Sequence, residues 1–239
     1  MPSTSWSDNR LPTILLILTA VTGVVDAVSF LGLGRVFTAN MTGNVVFLAF
    51  AVAGAPSLSI PRSTTALAAF LAGAVVGGRM AVRMSPAGQA RRASIAFGIE
   101  AALLAVATAV ATGVSSANAQ ESTSLYAVII LTAIAMGIRN AVVRKLGVPD
   151  LTTTVLTLTI TGLASDSSLA GGSNPHWQRR VASIALMFGG AAVGTLLLRH
   201  SLALPLAFAA FSSFSGALMV YGGRQPSGSE MLAKQGGTK

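Results

Sequence analysis

The feature that most narrows what this chain can fold into is its succession of long apolar runs. Eight segments stand out: Leu11–Leu31, Met41–Ala55, Thr65–Val82, Ala93–Val114, Leu125–Val143, Leu151–Leu163, Val181–Leu198 and Leu202–Tyr221. A helix needs about 20 mostly apolar residues to cross the hydrocarbon core of a bilayer. Six of the runs approach that length. Met41–Ala55 and Leu151–Leu163 fall short, the one opening in polar residues and the other rich in threonine. Only 10% of the residues are charged, against about 25% in soluble domains. The sequence therefore predicts an all-α transmembrane bundle over 11–221. It lies between a polar N-terminal tail, 1–10, and a segment, 222–239, with the Gly, Ser, Gln and Lys content of a disordered tail. No clear small-residue cleavage site follows the first run, which reads as a retained helix.

The formal net charge of +9 would suit a nucleic-acid partner. Yet the cations sit in short gaps between apolar runs, where positive charge sets membrane orientation. The expected partner is therefore the lipid bilayer, not nucleic acid. Cysteine is absent, which removes disulfides and thiolate metal sites. His176 and His200 share no site. No nucleotide loop, metal-ligand helix motif or nucleophile triad occurs, so no catalytic residue, metal or cofactor is expected and the chain does not read as an enzyme.

Charge also arbitrates between six spans and eight. If all eight segments cross with the N-terminus inside, seven cations lie inside and eight outside, against the positive-inside rule. If the two short segments enter and leave on one face, Arg10, Arg79, Arg83, Arg91, Arg92, Arg144, Lys145, Arg179, Arg180, Arg224, Lys234 and Lys239 lie inside. Only Arg35, Arg62 and Arg199 lie outside. Twelve against three favours six spans plus two short or re-entrant helices. It also sets both termini on the cytoplasmic side of the cell's inner (plasma) membrane.

An internal repeat is legible. Gly23, Asp26 and Ala27 match Gly137, Asn140 and Ala141 at an offset of 114. Thr38 and Thr42 match Thr153 and Thr157 at 115, and Gly73 to Gly77 match Gly190 to Gly194 at 117. Repeat one covers 11–114 and repeat two 125–221. Three spans per copy is an odd number, so the copies are inverted, an arrangement typical of transporters. The alternative is eight spans and parallel repeats. The Gly73/Gly77 and Gly190/Gly194 spacings suit close helix approach.

Polar residues fall where lipid should be. In Thr38-Ala39-Asn40-Met41-Thr42-Gly43-Asn44, Thr38 or Asn40 is placed to cap the following helix, whose N-terminus would offer N–H donors to a polar solute. Asn40, Thr42 and Asn44, with Asn140, Thr153 and Thr157 in the second copy, are candidate substrate-binding residues. Asp26 lies inside the first span, where a charge costs about 2.5–3.5 kcal/mol on insertion scales and is usually paired or functional. Its expected partner is Arg35 or the 40–44 stretch. Glu100 and Arg139 fall in the inner third and form a candidate ion pair.

Those motifs carry a resemblance. Gly23-x-x-Asp26-Ala27, then Val36-Phe37-Thr38-Ala39-Asn40-Met41-Thr42-Gly43-Asn44, then Met136-Gly137-x-x-Asn140-Ala141 resemble the YoaK family, also called DUF1275, over roughly residues 12–222. The chain departs from the family pattern at Arg139, where Gln is usual, and at Leu158, where Gly is usual. The resemblance implies a multi-pass bacterial membrane protein and supplies no substrate. The residues themselves point to a small-solute transporter or permease with its site at the repeat interface. A solute or ion channel and a non-transporting scaffold or accessory protein remain open beside it, as does a homo-oligomer.

Overall fold

The computed structural model describes residues 10–84, 88–113, 123–147 and 156–222. In chain order the elements are α1 (Arg10–Ala27), which runs on as a π-helical segment (Val28–Gly32), α2 (Met41–Val52), α3 (Ile60–Arg83), α4 (Gln89–Thr112), α5 (Thr123–Leu146), α6 (Leu156–Ser165), a short 3-10 turn (Ser168–Ala170), α7 (Trp177–Leu198) and α8 (Ala203–Gly222). Among the described residues all regular structure is helical. Six helices are long and apolar enough to cross a membrane: Pro12–Gly32, α3, α4, α5, α7 and α8. The helices α2 and α6 are short. This is the expected six-plus-two pattern.

Four of the spans, α3, α4, α5 and α7, begin further into polar sequence than the apolar runs do. A membrane helix keeps its backbone hydrogen bonds through the headgroup region, where hydropathy no longer marks it. Thus α3 starts at Ile60, not Thr65. Ser59 caps it by accepting from the Arg62 N–H at 3.4 Å, and Pro61 sits in its first turn, where a missing N–H costs nothing. Likewise α4 starts at Gln89 and not Ala93. The Leu151–Leu163 run is a helix from Leu156, and its residues 151–155 lie outside the described residues.

Packing follows the repeat. The apolar stretches of α1 and α5 are the most buried, with 72% and 61% of their residues inside the bundle, those of α4 and α8 are intermediate at 39% and 44%, and those of α3 and α7 the least buried at 28% and 17%. Each helix therefore resembles its counterpart, with α1 and α5 central and α3 and α7 peripheral. The contacts correspond as well: α1 packs on α7 as α5 packs on α3, and α1 on α8 as α5 on α4. Glycine makes the closest of these approaches. Gly23 faces the backbone of Met187 and Ala191, while Gly190 and Gly194 face Ala20 and Val24. Reciprocally, Gly137 faces Phe70 and Ala74, while Gly73 and Gly77 face Ile134 and Ile138. These sets superimpose at the offsets of 114 and 117 read from sequence.

The order of contacts gives the relative directions. Residue numbers rise together along α1 and α7 and along α3 and α5, so each pair is parallel. Along α4 and α8 they run oppositely. Ser94 Oγ donates to the Ala217 carbonyl at 3.0 Å, and Ser213 Oγ to Glu100 Oε1 at 3.0 Å, so that pair is antiparallel. Apolar side chains such as Leu71, Val75, Phe188 and Phe211 point outward, as a lipid-facing surface requires.

Candidate functional site

The centre of the bundle holds a charged network. Arg139, on α5, has no exposed surface, and neither has Glu100 on α4. Arg139 Nη1 lies 2.8 Å from Glu100 Oε1. The same nitrogen donates to the Leu18 carbonyl at 3.3 Å, and Nη2 donates to Thr22 Oγ1 at 2.5 Å. Thr22 spends its own hydroxyl proton on Leu18 O at 3.0 Å, which leaves its lone pairs for the arginine. Ser213 completes the set from α8. Four helices, α1, α4, α5 and α8, thus meet on one buried ion pair. Its depth differs from expectation. Glu100 is the twelfth of the 24 residues of α4, and Thr22 lies midway along Pro12–Gly32. The pair therefore sits near mid-bundle, not in the inner third, because Arg139 reaches across to α1 instead of snorkelling down its own helix. Thr22 and Ser213 were not singled out from sequence. A hydroxyl facing a charge across helices leaves no mark in a chain that carries many membrane threonines and serines.

One face of α1 carries a second polar cluster. Asp26 is buried, and the Ala39 backbone amide lies close enough to favour its charged carboxylate. Arg139 lies close enough to act on it electrostatically without touching it. Immediately after Asp26 the helix turns π, and Arg35 N bonds Phe30 O at 3.0 Å, five residues back. Such segments are rare and are found mostly at functional sites. The chain then leaves the helix and is clasped by Asn44. The Asn44 Oδ1 accepts from Phe37 N at 2.8 Å, and its Nδ2 donates to Phe37 O. Phe30, Phe37 and Phe47 stack beside the clasp, with centroids 5.3–5.9 Å apart. Two buried oxygens of this cluster, Asp26 Oδ1 and Thr38 Oγ1, have no hydrogen-bond partner among the described residues.

The sequence candidates divide accordingly. Asp26 and Asn44 meet the loop between α1 and α2, with Asn44 acting as a strut. Asn40 occupies the N-cap position without a side-chain cap bond and is exposed, as are Thr42 and Thr157. Asn140 is half-buried on α5. Thr153 lies outside the described residues. Thr159 is buried and was missed. It stands 115 residues after Asn44, so the repeat offset pointed to it.

The second copy closes its short helix differently. Arg180, near the start of α7, donates to Asp166 Oδ2 at 2.8 Å and to Gly162 O at 2.5 Å. That hydrogen bond holds the Asp166 carboxyl below its ordinary range. Among the described residues no group of three His, Cys, Asp or Glu could hold a metal ion.

Comparison with known proteins agrees with this architecture. The family described as "Protein of unknown function (DUF1275)" matches residues 14–219, from α1 to α8. The chain is 33% identical over 156 residues to the UPF0700 transmembrane protein YoaK of Bacillus subtilis (strain 168), covering 65% of this chain and 67% of that protein. No solved structure matches the chain.

Proposed function

The chain belongs to the DUF1275 family of membrane proteins, and on that premise we propose that it is a small-solute transporter built from two inverted three-span repeats. The observation that carries the reading is the cluster beside the π-helical break. A carboxylate is buried within a span, next to non-helical backbone, with two buried oxygens lacking partners. Irregular backbone at membrane depth is tolerated where it is buried in protein or lines a cavity, and intramembrane carboxylates recur in proton and ion pathways.

The repeat geometry supports inversion. Crossing by all eight helices would make α4 and α8 parallel, whereas crossing by six makes them antiparallel, in accord with the Ser94–Ala217 and Glu100–Ser213 contacts. In this reading Asp26 carries a proton or binds a cation, Thr38 and Asn40 contribute solute hydrogen bonds, and Asn44 holds the loop. Asn140, the counterpart of Asp26 at the repeat offset, would contribute from the second half of the chain. The reading places both termini on the cytoplasmic side, which the bias of arginine and lysine supports.

Proton-linked uptake of a panel of small polar solutes into proteoliposomes tests the assignment. Asp26→Asn, which keeps the shape and removes the charge, is expected to cut such uptake at least tenfold while the protein still folds. Uptake at the wild-type rate would remove Asp26 from coupling. No uptake of any solute, together with a stably co-purifying protein, would favour an accessory role.

A further inference from the structure

We propose that the protein carries a phosphate-binding pocket at the membrane interface, between the end of α1 and the start of α3, separate from the Asp26 cluster. A cleft of about 380 Å³ is lined there by Gly34, Arg35, Ser57, Leu58, Ser59 and Arg62. Two guanidinium groups and two hydroxyls thus converge on one cavity whose lining holds no carboxylate. Arg35 Nη1 donates to Ser57 Oγ at 3.0 Å, which fixes that side chain along the wall.

The second guanidinium is placed by a glycine. A Cβ at Gly34 would overlap the Arg62 head group, and Gly34 has φ of 85°, a conformation that side chains other than glycine rarely adopt. The backbone at Arg35 and Ser57 is also left-handed, with φ of 59° and 66°. Finally, α3 begins in the pocket, so the partial positive charge of its N-terminus adds to the two cations. Planar guanidinium forks match phosphate oxygens in a way that a water-filled cavity does not need.

Position narrows the ligand. Arg35 follows the first span by three residues, and Arg62 lies in the first turn of the next. The flanking Leu31 and Ile60 are exposed, at 58% and 43%, as lipid-facing residues would be. The pocket is therefore level with phospholipid head groups while also open to water. Arginine is scarce on this side: Arg35 and Arg62 are two of the three cations that the six-span orientation leaves outside. A phosphate group, either a lipid diester or a free anion, is the chemistry that both observations fit. The proposal does not depend on transport and can fail or stand apart from it.

Thermal unfolding of the purified full chain in a phosphate-free detergent provides the test. Sodium phosphate is expected to raise the midpoint above that in sodium chloride of equal ionic strength. The Arg35→Gln and Arg62→Gln variants should each weaken the apparent phosphate affinity about tenfold or more, the loss expected for a hydrogen bond to a charged group. Repeating the titration in phosphatidylglycerol nanodiscs separates the two sources. A phosphate effect that vanishes there identifies a lipid head group, and one that persists identifies a free anion. If phosphate matches chloride on the wild-type protein, and adding phosphatidylglycerol to the delipidated wild type raises the midpoint no more than adding a zwitterionic phosphate-free detergent, the pocket is not a phosphate site. The wild-type arms decide this even if a variant fails to fold.

Discussion

Arg139 shows how costly a single residue can be and still persist. Burying an ion pair costs several kcal/mol per ion before mutual attraction and hydrogen bonds repay it. Here repayment comes from Glu100, Thr22 and the Leu18 carbonyl. Removing one partner leaves the other charge stranded. Arg139→Met or Glu100→Gln alone is expected to destabilise the protein by about 3–5 kcal/mol, whereas the double substitution should cost less than the sum. Denaturant unfolding in mixed micelles, read as a double-mutant cycle, measures this, and strict additivity would show that the pair is not coupled. That Glu100 and Arg139 were worth considering together was legible in sequence, since charges within spans are conspicuous. Their mid-bundle depth was not, because it depends on the reach of Arg139 toward a helix more than a hundred residues away. The role of Asn44 was likewise hidden: its residue type suggests a ligand, but its geometry makes it a clasp for Phe37.

Elements carry their own expectations. The paired glycines let α1 meet α7 and α3 meet α5 backbone to backbone. Gly190→Leu should force the helices apart and destabilise by about 1–3 kcal/mol or more, as overpacking does, while Gly98→Ala should fold unchanged, because a Cβ there meets nothing within 4 Å. Equal stability of the two variants in thermal unfolding would contradict the packing described. At the α6–α7 junction, the Arg180 bond lowers the Asp166 pKa in the folded state. The unfolded chain then binds more protons on acidification. The stabilisation is therefore present above the ordinary carboxylate pKa of about 4 and fades as pH falls through that value and below. Hydrogen exchange of residues 162–176, corrected for intrinsic rates, should rise over that range in the wild type, with little pH dependence in Asp166→Asn. The existence and order of the helices were readable from hydropathy, but the π-helical segment was not, since Val28–Gly32 is almost wholly apolar and ordinary in composition.

At the scale of the whole molecule, the question is which faces of the membrane the loops occupy. The chain has no native cysteine, so single introduced thiols report cleanly. A membrane-impermeant maleimide should label Arg62→Cys in intact cells and Arg179→Cys only after permeabilisation. Labelling of both from the same side would mean that the short helices cross and that the repeats are parallel.

Sequence alone determined that the chain lives in a bilayer and roughly where its spans lie, because hydrocarbon demands long apolar helices, and its near-constant offsets pointed to a repeat. Only the tertiary structure decided which polar residues meet, because a side chain's neighbours in a helix bundle come from other helices. Their register is set by glycine contacts and crossing points rather than by anything local. Thus Thr22 and Ser213 joined the central ion pair, Asn44 became a strut, and Arg35 and Arg62, unremarkable as loop cations, came to share a pocket.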